Sequence, residues 1–211
     1  MKNNVSDFHA FGSFGRILDL HKQSHTTRSV AEIFLGDADR TGNPNAIFVM
    51  TNPGSCERLT NTLNRPLPKF CNARATIDPT QKVIAALMKA VAWKHVRIIN
   101  LSDLKQGSGK KFEKTLAEFE FIPEHSIFHD SRNTEREELL DVPDGTPIVF
   151  AWKADPDRRL RTIASIAISK LPENATGRKH PKNRFGYYHP KGQRSSDREA
   201  WFEWALNEFR K

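Results

Sequence analysis

The amino-acid sequence predicts an α/β protein, a three-layer sandwich around a central, mostly parallel sheet. Short apolar runs that stop at turn residues are typical of buried strands, and here they alternate with helices that have one apolar face. With 211 residues and 37% hydrophobic content, the chain can fill the core of one such domain. We therefore expect a single domain over residues 1–211, with a polar N-terminal arm.

The first half of the chain contains one clear strand and several weaker elements. Residues 15–20 predict an early strand, and residues 30–35 predict either a strand or a short turn of helix. Residues 46–51 are apolar and end at an Asn-Pro-Gly turn, which predicts a buried strand. Residues 56–77 predict a long irregular loop with a functional role, because they join two well-defined elements.

A βαβ crossover is predicted next. Asp78 is the expected N-cap and Pro79 the first residue of a helix with one apolar stripe. The β-branched residues 95–101 then predict a second strand. Because such a crossover joins parallel strands, we expect Asn52 and Asn100 at the same edge of the sheet.

The second half repeats this alternation of strands and helices. Residues 146–152 predict a strand, and Asp155 with Pro156 predicts the start of a helix by the same capping argument. A capping box of Ser196 and Glu199 predicts the terminal helix, whose tryptophans we expect in the core.

Three polar residues end predicted elements. Asn52 follows the first strand, Asn100 ends the second, and His189 ends the aromatic segment 185–190. Ligands of open α/β sheets bind beyond the carboxyl ends of the strands, so we expect Asn52 at the mouth of a cleft. Taken singly, the three residues are also compatible with a simple β-turn, a loop cap and a solvated loop histidine, respectively.

Together these motifs resemble the uracil-DNA glycosylase superfamily, in which an Asn-Pro-Gly motif, a strand-end Asn and a His-Pro motif occur in this order. The resemblance covers most of residues 46–192, with Met50 and Thr51 where a Gly-x pair is usual and no Ser-Pro after Pro190. The chain is also similar to a bacterial and phage family with the same landmarks. The resemblance implies a monofunctional DNA glycosylase that acts on a flipped modified or mismatched pyrimidine.

The resemblance also implies a role for each motif residue. Asn52 would orient the attacking water, and His189 would donate to the base oxygen, where negative charge develops as the N-glycosidic bond breaks. Asn100 would pair with the pyrimidine edge, because its amide carries both a donor and an acceptor. Asp78 and Glu57 are reserve carboxylates, with Asp78 primarily an N-cap.

Residues that follow Asn52 predict the shape of the base pocket, namely Pro53, Gly54 and Ser55. The strictly uracil-specific branch has a bulky Tyr at the position of Gly54, so Gly54 leaves room for a 5-substituent. Thymine, hydroxymethylcytosine or its glucosylated form then becomes admissible, which implies antiviral defence against modified phage DNA. Phe70 is the predicted stacking surface for the flipped base, and a buried loop anchor is its alternative role.

Charge predicts a nucleic-acid partner. The chain has 33 Lys and Arg against 25 Asp and Glu, a net charge of +8, which is typical of proteins that neutralise phosphates. We therefore expect DNA as the partner, contacted by two basic segments that could otherwise be solvated surface. The predicted DNA contacts are Lys105, Lys110, Lys111, Lys191 and Arg194.

The remaining features argue against cofactors and membranes. Cys56 and Cys71 are the only cysteines, so an all-cysteine iron-sulfur cluster lacks its ligands, and His125 and His129 have metal-ligand spacing only on a helix. We expect no cofactor and no metal. Because no apolar run reaches the ~20 residues of a membrane span and the N-terminus lacks a signal peptide, we expect a cytoplasmic monomer.

Two other functions remain compatible with the sequence. One is a non-catalytic nucleic-acid-binding protein that has the same fold. The other is a glycosidase of small nucleotides. The sequence does not choose among the candidate bases.

Overall fold

The computed structural model describes residues 7–59, 70–153 and 157–210. Within them, the strands are β1 (Phe8–Leu18), β2 (Ser24–Leu35), β3 (Ala46–Met50), β4 (Phe70–Ala75), β5 (His95–Asn100) and β6 (Ile148–Phe150). The α-helices are α1 (Pro79–Ala90), α2 (Gly109–Glu118), α3 (Asn133–Leu140), α4 (Arg158–Lys170) and α5 (Ser195–Phe209). In this part of the chain, no helix combines the length and the apolar character needed to cross a membrane.

The six strands form one mixed sheet in the order β4-β1-β2-β5-β3-β6. Strands β5, β3 and β6 run parallel, whereas β1 pairs antiparallel with both β2 and β4, and β2 pairs antiparallel with β5. The prediction of a mostly parallel sheet was therefore wrong. The error comes from β1 and β2, two strands of 11 and 12 residues that pair with each other. Because these strands are partly polar, their sequence pattern suggests much shorter elements.

The predicted crossover from β3 through α1 to β5 is confirmed. Asp78 caps α1, accepting the N–H groups of Thr80 at 2.8 Å and Gln81 at 2.9 Å, and Pro79 begins the helix. The segment 56–77 was wrongly predicted as a loop throughout, because it contains β4. This edge strand is stabilised by pairing with β1, about 60 residues earlier, so no local pattern in the sequence indicates it.

Helices cover both faces of the sheet, which gives the predicted three layers. On one side, the α1/α5 face, Phe48 packs with Met88 and Trp201. On the other side, the α4 face, Val49 packs with residues such as Ala164. Successive residues of β3 thus belong to different cores, as expected for a strand buried on both sides.

Two predicted helix starts were wrong by one or two residues. Helix α4 is capped by Asp157, whose carboxylate accepts the N–H of Arg159 at 2.8 Å. The predicted cap, Asp155 with Pro156, lies outside the described residues. Helix α5 begins one residue before Ser196, and its first turn is closed by Asp197, whose carboxylate accepts the Arg194 N–H at 3.4 Å.

A β-bulge interrupts β2 next to the parallel strands. Its partner register passes from Val30 opposite Ser13 to Arg28 opposite Phe14 and leaves Ser29 unpaired. Regular alternation would place Arg28 on the α4 face together with Val30. The extra residue turns Arg28 to the α1/α5 face instead, which is the face of Ala31.

Candidate functional site

A cleft of about 200 Å³ opens at the carboxyl ends of β3 and β5, on the α1/α5 face, and is called the edge cleft here. Its charged and polar lining includes Arg28, Asn52, Asp78, Gln106, His189 and Lys191. Besides Asn52, five predicted site residues line the same cleft, namely Pro53, Gly54, Ser55, His189 and Lys191. The structure therefore brings together the first and last motifs, which lie more than a hundred residues apart in the sequence.

Asn52 is held in one orientation by the loop after β5. Its amide nitrogen donates to the carbonyl oxygen of Gln106 at 2.7 Å and to that of Leu104 at 3.4 Å. Because both partners are acceptors, the atom bound to them must be the nitrogen, and the amide oxygen remains available to the cleft. A polar side chain fixed in this way can hold a water molecule through its oxygen.

Asn100 lies at the same level as Met50 on the neighbouring parallel strand and faces the same side of the sheet. Its side chain is fully buried, and within the described part of the chain neither its amide oxygen nor its amide nitrogen has a hydrogen-bond partner. An unsatisfied buried polar group costs about 1–3 kcal/mol, so this amide is a candidate for ligand contact. Met50 and Ile98, its neighbours on this face, both line the edge cleft.

His189 reaches the edge cleft through contacts of the C-terminal segment with the end of β6. The Tyr187 N–H donates to the carbonyl of Trp152 at 3.1 Å, and the indole of Trp152 donates to the carbonyl of Phe185 at 2.6 Å. The aromatic segment 185–190 consists of turns and one isolated bridge, which pairs Tyr187 with Lys179. Gly192 closes the turn at φ +44°, where a Cβ would lie only 2.8 Å from the backbone nitrogen of Arg198.

The imidazole of His189 is neutral at neutral pH. Burial lowers the pKa of His189 to about 4, and the nearby charges of Lys191 and Lys153 lower it further. Its Nδ1 accepts the N–H of Lys191 at 3.2 Å, which places the ring proton on Nε2. None of the hydrogen bonds among the described residues uses Nε2, so this N–H can donate to a ligand.

Gly54 is in the left-handed region at φ +66°, which favours glycine. A Cβ at this position would meet only Oδ2 of Asp78, at 3.4 Å, among the atoms of the described residues. The space beside Gly54 is therefore open, as predicted, but a bulky residue here would strain the turn as well as fill the cleft. Asp78 caps α1 through Oδ1 and presents Oδ2 on the side of Gly54.

The stacking role of Phe70 is still only a prediction, because its side chain lies outside the described residues. Its backbone begins β4 opposite Gly15, and two strands, β1 and β2, separate β4 from β5. At about 4.8 Å per strand, Phe70 starts roughly 14 Å from the strand of Asn100.

The predicted DNA contacts divide into paired and unpaired cations. Lys105 forms a 2.5 Å ion pair with Glu57, so its charge is neutralised within the protein and the prediction of a phosphate contact is not supported there. Lys110 and Lys111 lie in the exposed first turn of α2 rather than in a loop. Lys191 and Arg194 are exposed beside the His189 turn.

Lys110 and Lys111 are unfavourably placed for helix stability. A cation in the first turn of a helix opposes the helix dipole and costs about 0.3–1 kcal/mol. The N-cap Ser108 makes no side-chain hydrogen bond that would compensate, and neither ammonium has an ion-pair partner among the described residues. Contact with an anion would reverse this unfavourable balance.

Arg28 is the residue of the edge cleft that sequence reasoning missed. It is 2% exposed, and its Nε and Nη1 atoms find no hydrogen-bond partner among the residues that the structure describes. The available signal was weak, a single Arg two residues before the apolar run of β2. Only the bulge at Ser29 brings it to the cleft.

One group of side chains in the described residues has metal-ligand composition. Asp19, His25 and Glu118 each offer one ligand atom, and these atoms lie within 4.8 Å of one another. His25 Nε2 already pairs with Asp19 Oδ2 at 2.8 Å, which accounts for the contact without an ion. No feature of the group requires a metal, and we assign none.

Comparison with known proteins adds little about this site. No family model and no curated protein matches the chain. A mutant of the feruloyl esterase module from Clostridium thermocellum, solved in complex with sinapinate, is similar over 93% of this chain at 9% sequence identity, with a TM-score of 0.30. The match spans 62% of that structure, and at this level of similarity it carries no argument about fold or function.

Proposed function

We propose that this protein is a monofunctional DNA glycosylase with a fold of the uracil-DNA glycosylase type, acting on a flipped modified or mismatched pyrimidine. The observation that carries the proposal is Asn100, a fully buried amide without partners at the strand end beside the edge cleft. A pyrimidine edge offers the donor and acceptor that such an amide lacks.

The two motif residues of the cleft can then divide the chemistry. Water held by the Asn52 oxygen attacks the sugar carbon, the N-glycosidic bond breaks, and its electron pair leaves with the base. The Nε2–H of His189 donates to the base oxygen that gains negative charge, and being neutral it supplies this hydrogen bond without giving up a proton. Asn52 cannot accept the proton of the water, so this proton passes to solvent or to the departing base anion after the bond has broken, and the leaving base must be well stabilised.

The size of the edge cleft favours a base over a whole nucleotide. At about 200 Å³ it is smaller than the ~300–1,000 Å³ typical of ligand pockets. The open space beside Gly54 supports a pyrimidine with a 5-substituent, including the bulky groups of modified phage DNA. The unpaired cations of α2 and of the His189 turn support a DNA backbone as the surrounding contact.

A non-catalytic nucleic-acid-binding protein is the second candidate. The observation that favours it is the complete burial of Asn100, because a base can reach this amide only if the residues lining the cleft move apart. The loss of that movement would leave binding without excision.

A single-turnover assay tests the proposal. The protein is incubated with duplexes that contain uracil, a thymine mismatch, hydroxymethylcytosine or glucosylated hydroxymethylcytosine, and abasic sites are then cleaved with alkali. We expect strand cleavage for at least one modified or mismatched base and none for the unmodified duplex. No cleavage of any duplex would contradict the proposal.

A binding series separates the two candidates. Replacing Lys110 and Lys111 by Ala should weaken the binding of all DNA sequences and reduce the salt slope by roughly one unit per lost phosphate contact. Lys105→Ala is the matched control, because Lys105 is already paired with Glu57, and its slope should equal that of the parent protein. Normal DNA binding without excision would favour the non-catalytic candidate.

A further inference from the structure

We infer that Arg28 makes the edge cleft an anion-binding site, which takes a ligand group carrying a carboxylate or a phosphate. The guanidinium lines the cleft, is almost fully buried and leaves two of its nitrogen atoms without partners. This inference concerns what the cleft binds and not whether it excises a base, so it can be tested without any catalytic assay.

A buried cation without a partner is expensive. A guanidinium stays charged at every physiological pH, and removing it from water costs several kcal/mol unless an anion or hydrogen-bond acceptors replace the water. The described residues offer Arg28 no ion pair within 4 Å and no acceptor for Nε or Nη1. A bound anion supplies both the missing charge and hydrogen-bond acceptors for the guanidinium.

Asp103 interacts with the charge of Arg28 but does not satisfy it. Asp103 feels its charge weakly, but Asp103 pairs with Arg132 at 2.6 Å. Burial raises the pKa of Asp103 to about 7 against the opposing effect of Arg132. Because this carboxylate is engaged by Arg132, Arg28 lacks a counter-charge of its own among the described residues.

The rest of the cleft is also electropositive. Arg28 and Lys191 line it against one carboxylate, Asp78, whose Oδ1 is engaged by the N-terminus of α1. Gly109, the first residue of the ten-residue helix α2, lines the cleft as well, and this helix has no side-chain cap at its N-terminus. Uncapped N–H groups and the helix dipole add to the attraction for an anion.

Two ligands share this chemistry. An acidic substituent on a pyrimidine ring would place a carboxylate at the floor of the cleft, and a mononucleotide would place its phosphate there. The cleft is large enough for either charged group, and the two sources are distinguished by the probes used in the test.

Isothermal titration calorimetry on the full-length protein tests the inference. The probes are uracil-5-carboxylate, deoxyuridine monophosphate, inorganic phosphate and, as neutral references, uracil and deoxyuridine. We expect one acidic probe to bind at least about tenfold tighter than its neutral reference, because a charge-assisted hydrogen bond in a buried site is worth that much. Tighter binding of the carboxylate identifies an acidic base, and tighter binding of the phosphates identifies a nucleotide.

Three variants show whether Arg28 is responsible. Arg28→Met and Arg28→Gln should abolish the preference for the acidic probe, and both should melt at or above the temperature of the parent protein, because they remove an uncompensated buried charge. The matched control is Arg136→Met. Arg136 is also buried, but it donates to the Ile127 carbonyl and the Asn133 side chain. This control should melt at a lower temperature and keep the preference.

Each of three results would overturn the inference. The first is equal binding of acidic and neutral probes by the parent protein. The second is a lower melting temperature in both Arg28 variants, which would mean that the guanidinium is already satisfied within the fold. A preference that survives in both variants would move the anion to Lys191 or to the N-terminus of α2 and would equally overturn the role of Arg28.

Discussion

Two cavities of this protein each contain a histidine whose pKa is lowered to about 4, but their surroundings differ. His189 lies in the edge cleft among polar and charged residues. His125 lies in a larger cavity of about 300 Å³ between α2 and α4, called the helix cavity here, where its ring packs against Phe119. Burial is the main cause of both pKa shifts.

The comparison teaches that a perturbed histidine does not by itself mark a functional site. In the helix cavity, the other buried polar atom without a hydrogen bond among the described residues is Nε of Arg159, and this guanidinium is already paired with Asp157 at 2.9 Å and lies 3.7 Å from Glu120. In the edge cleft, an oriented Asn52, an unpaired Arg28 and a neutral His189 converge at the ends of two parallel strands. The convergence of groups with different chemical roles distinguishes the two cavities.

The strongest test of this distinction is the removal of His189. His189→Ala should lower single-turnover excision by roughly 10²–10³-fold, the usual effect of losing one donor to a developing oxyanion. His125→Phe, in the other cavity, should leave excision at neutral pH unchanged. Equal losses in both variants would mean that the two histidines act only through stability, and circular dichroism would show whether both proteins are folded.

The helix cavity should instead control stability in acid. His125 has a lower pKa folded, about 4, than unfolded, about 6.5, so its contribution to stability is complete above pH 6.5 and is lost as the pH falls toward 4. The raised pKa of Asp103 changes the stability with pH in the opposite direction. Asp103 is present in both the parent and His125→Phe, so its effect cancels in the difference between the two proteins. Between pH 6.5 and 4 the parent should lose about 3 kcal/mol more unfolding free energy than His125→Phe.

Urea denaturation at a series of pH values measures this difference. Parallel curves of unfolding free energy against pH for the parent and His125→Phe would contradict the assigned burial of His125. The variant keeps an aromatic ring in contact with Phe119, so the packing of the cavity changes little.

Removing Asn52 should have a smaller effect than removing His189. Asn52→Ala should lower single-turnover excision by at least about tenfold with little change in DNA affinity, because positioned water matters mainly in the transition state. The hydrogen bond to Gln106 is lost as well, so Gln106→Ala, which keeps its backbone carbonyl, is the control and should excise normally. Unchanged excision in Asn52→Ala would assign the water to another residue, with Asp78 as the first candidate.

The smallest expected effect is that of pH on excision itself. Because His189 is neutral down to about pH 4, the single-turnover rate should show no inflection near pH 6.5, where an ordinary histidine titrates. The test is the single-turnover rate measured between about pH 5 and 8 on a DNA duplex that stays paired over this range. An inflection that disappears in His189→Ala would show that the histidine titrates normally and is not held neutral.

The sequence predicted the parallel half of the sheet better than the antiparallel half. Asp78 with Pro79 and the apolar runs of β3 and β5 are local signals, and they were sufficient to place Asn52 and Asn100 at one edge. Strand β4 depends on pairing with the distant strand β1, and the hairpin strands β1 and β2 have few apolar residues in series. Their stability comes from cross-strand contacts, which a single strand does not reveal.

The sequence motifs predicted which residues lie in the candidate site. They did not predict the contacts that depend on how the backbone folds. Asn52 and His189 were selected because they belong to the short contiguous motifs Asn-Pro-Gly and His-Pro. The orientation of Asn52 depends on a backbone carbonyl of Gln106, which any residue type would supply. The pairing of Lys105 with Glu57 depends on how two loops meet, and neither loop indicates it alone.

The bulge at Ser29 has a consequence for how the charge of the cleft is encoded. Inserting one residue into β1 opposite Ser29 would give Ser29 a partner, restore regular alternation in β2 and turn Arg28 to the opposite face of the sheet. The same arginine would then leave the edge cleft, although no residue of the cleft had been substituted. Electrostatic character at this site is therefore set by strand length as much as by residue type, and related chains that lack this bulge because of one additional residue in β1 should differ in the charge of the ligand they accept.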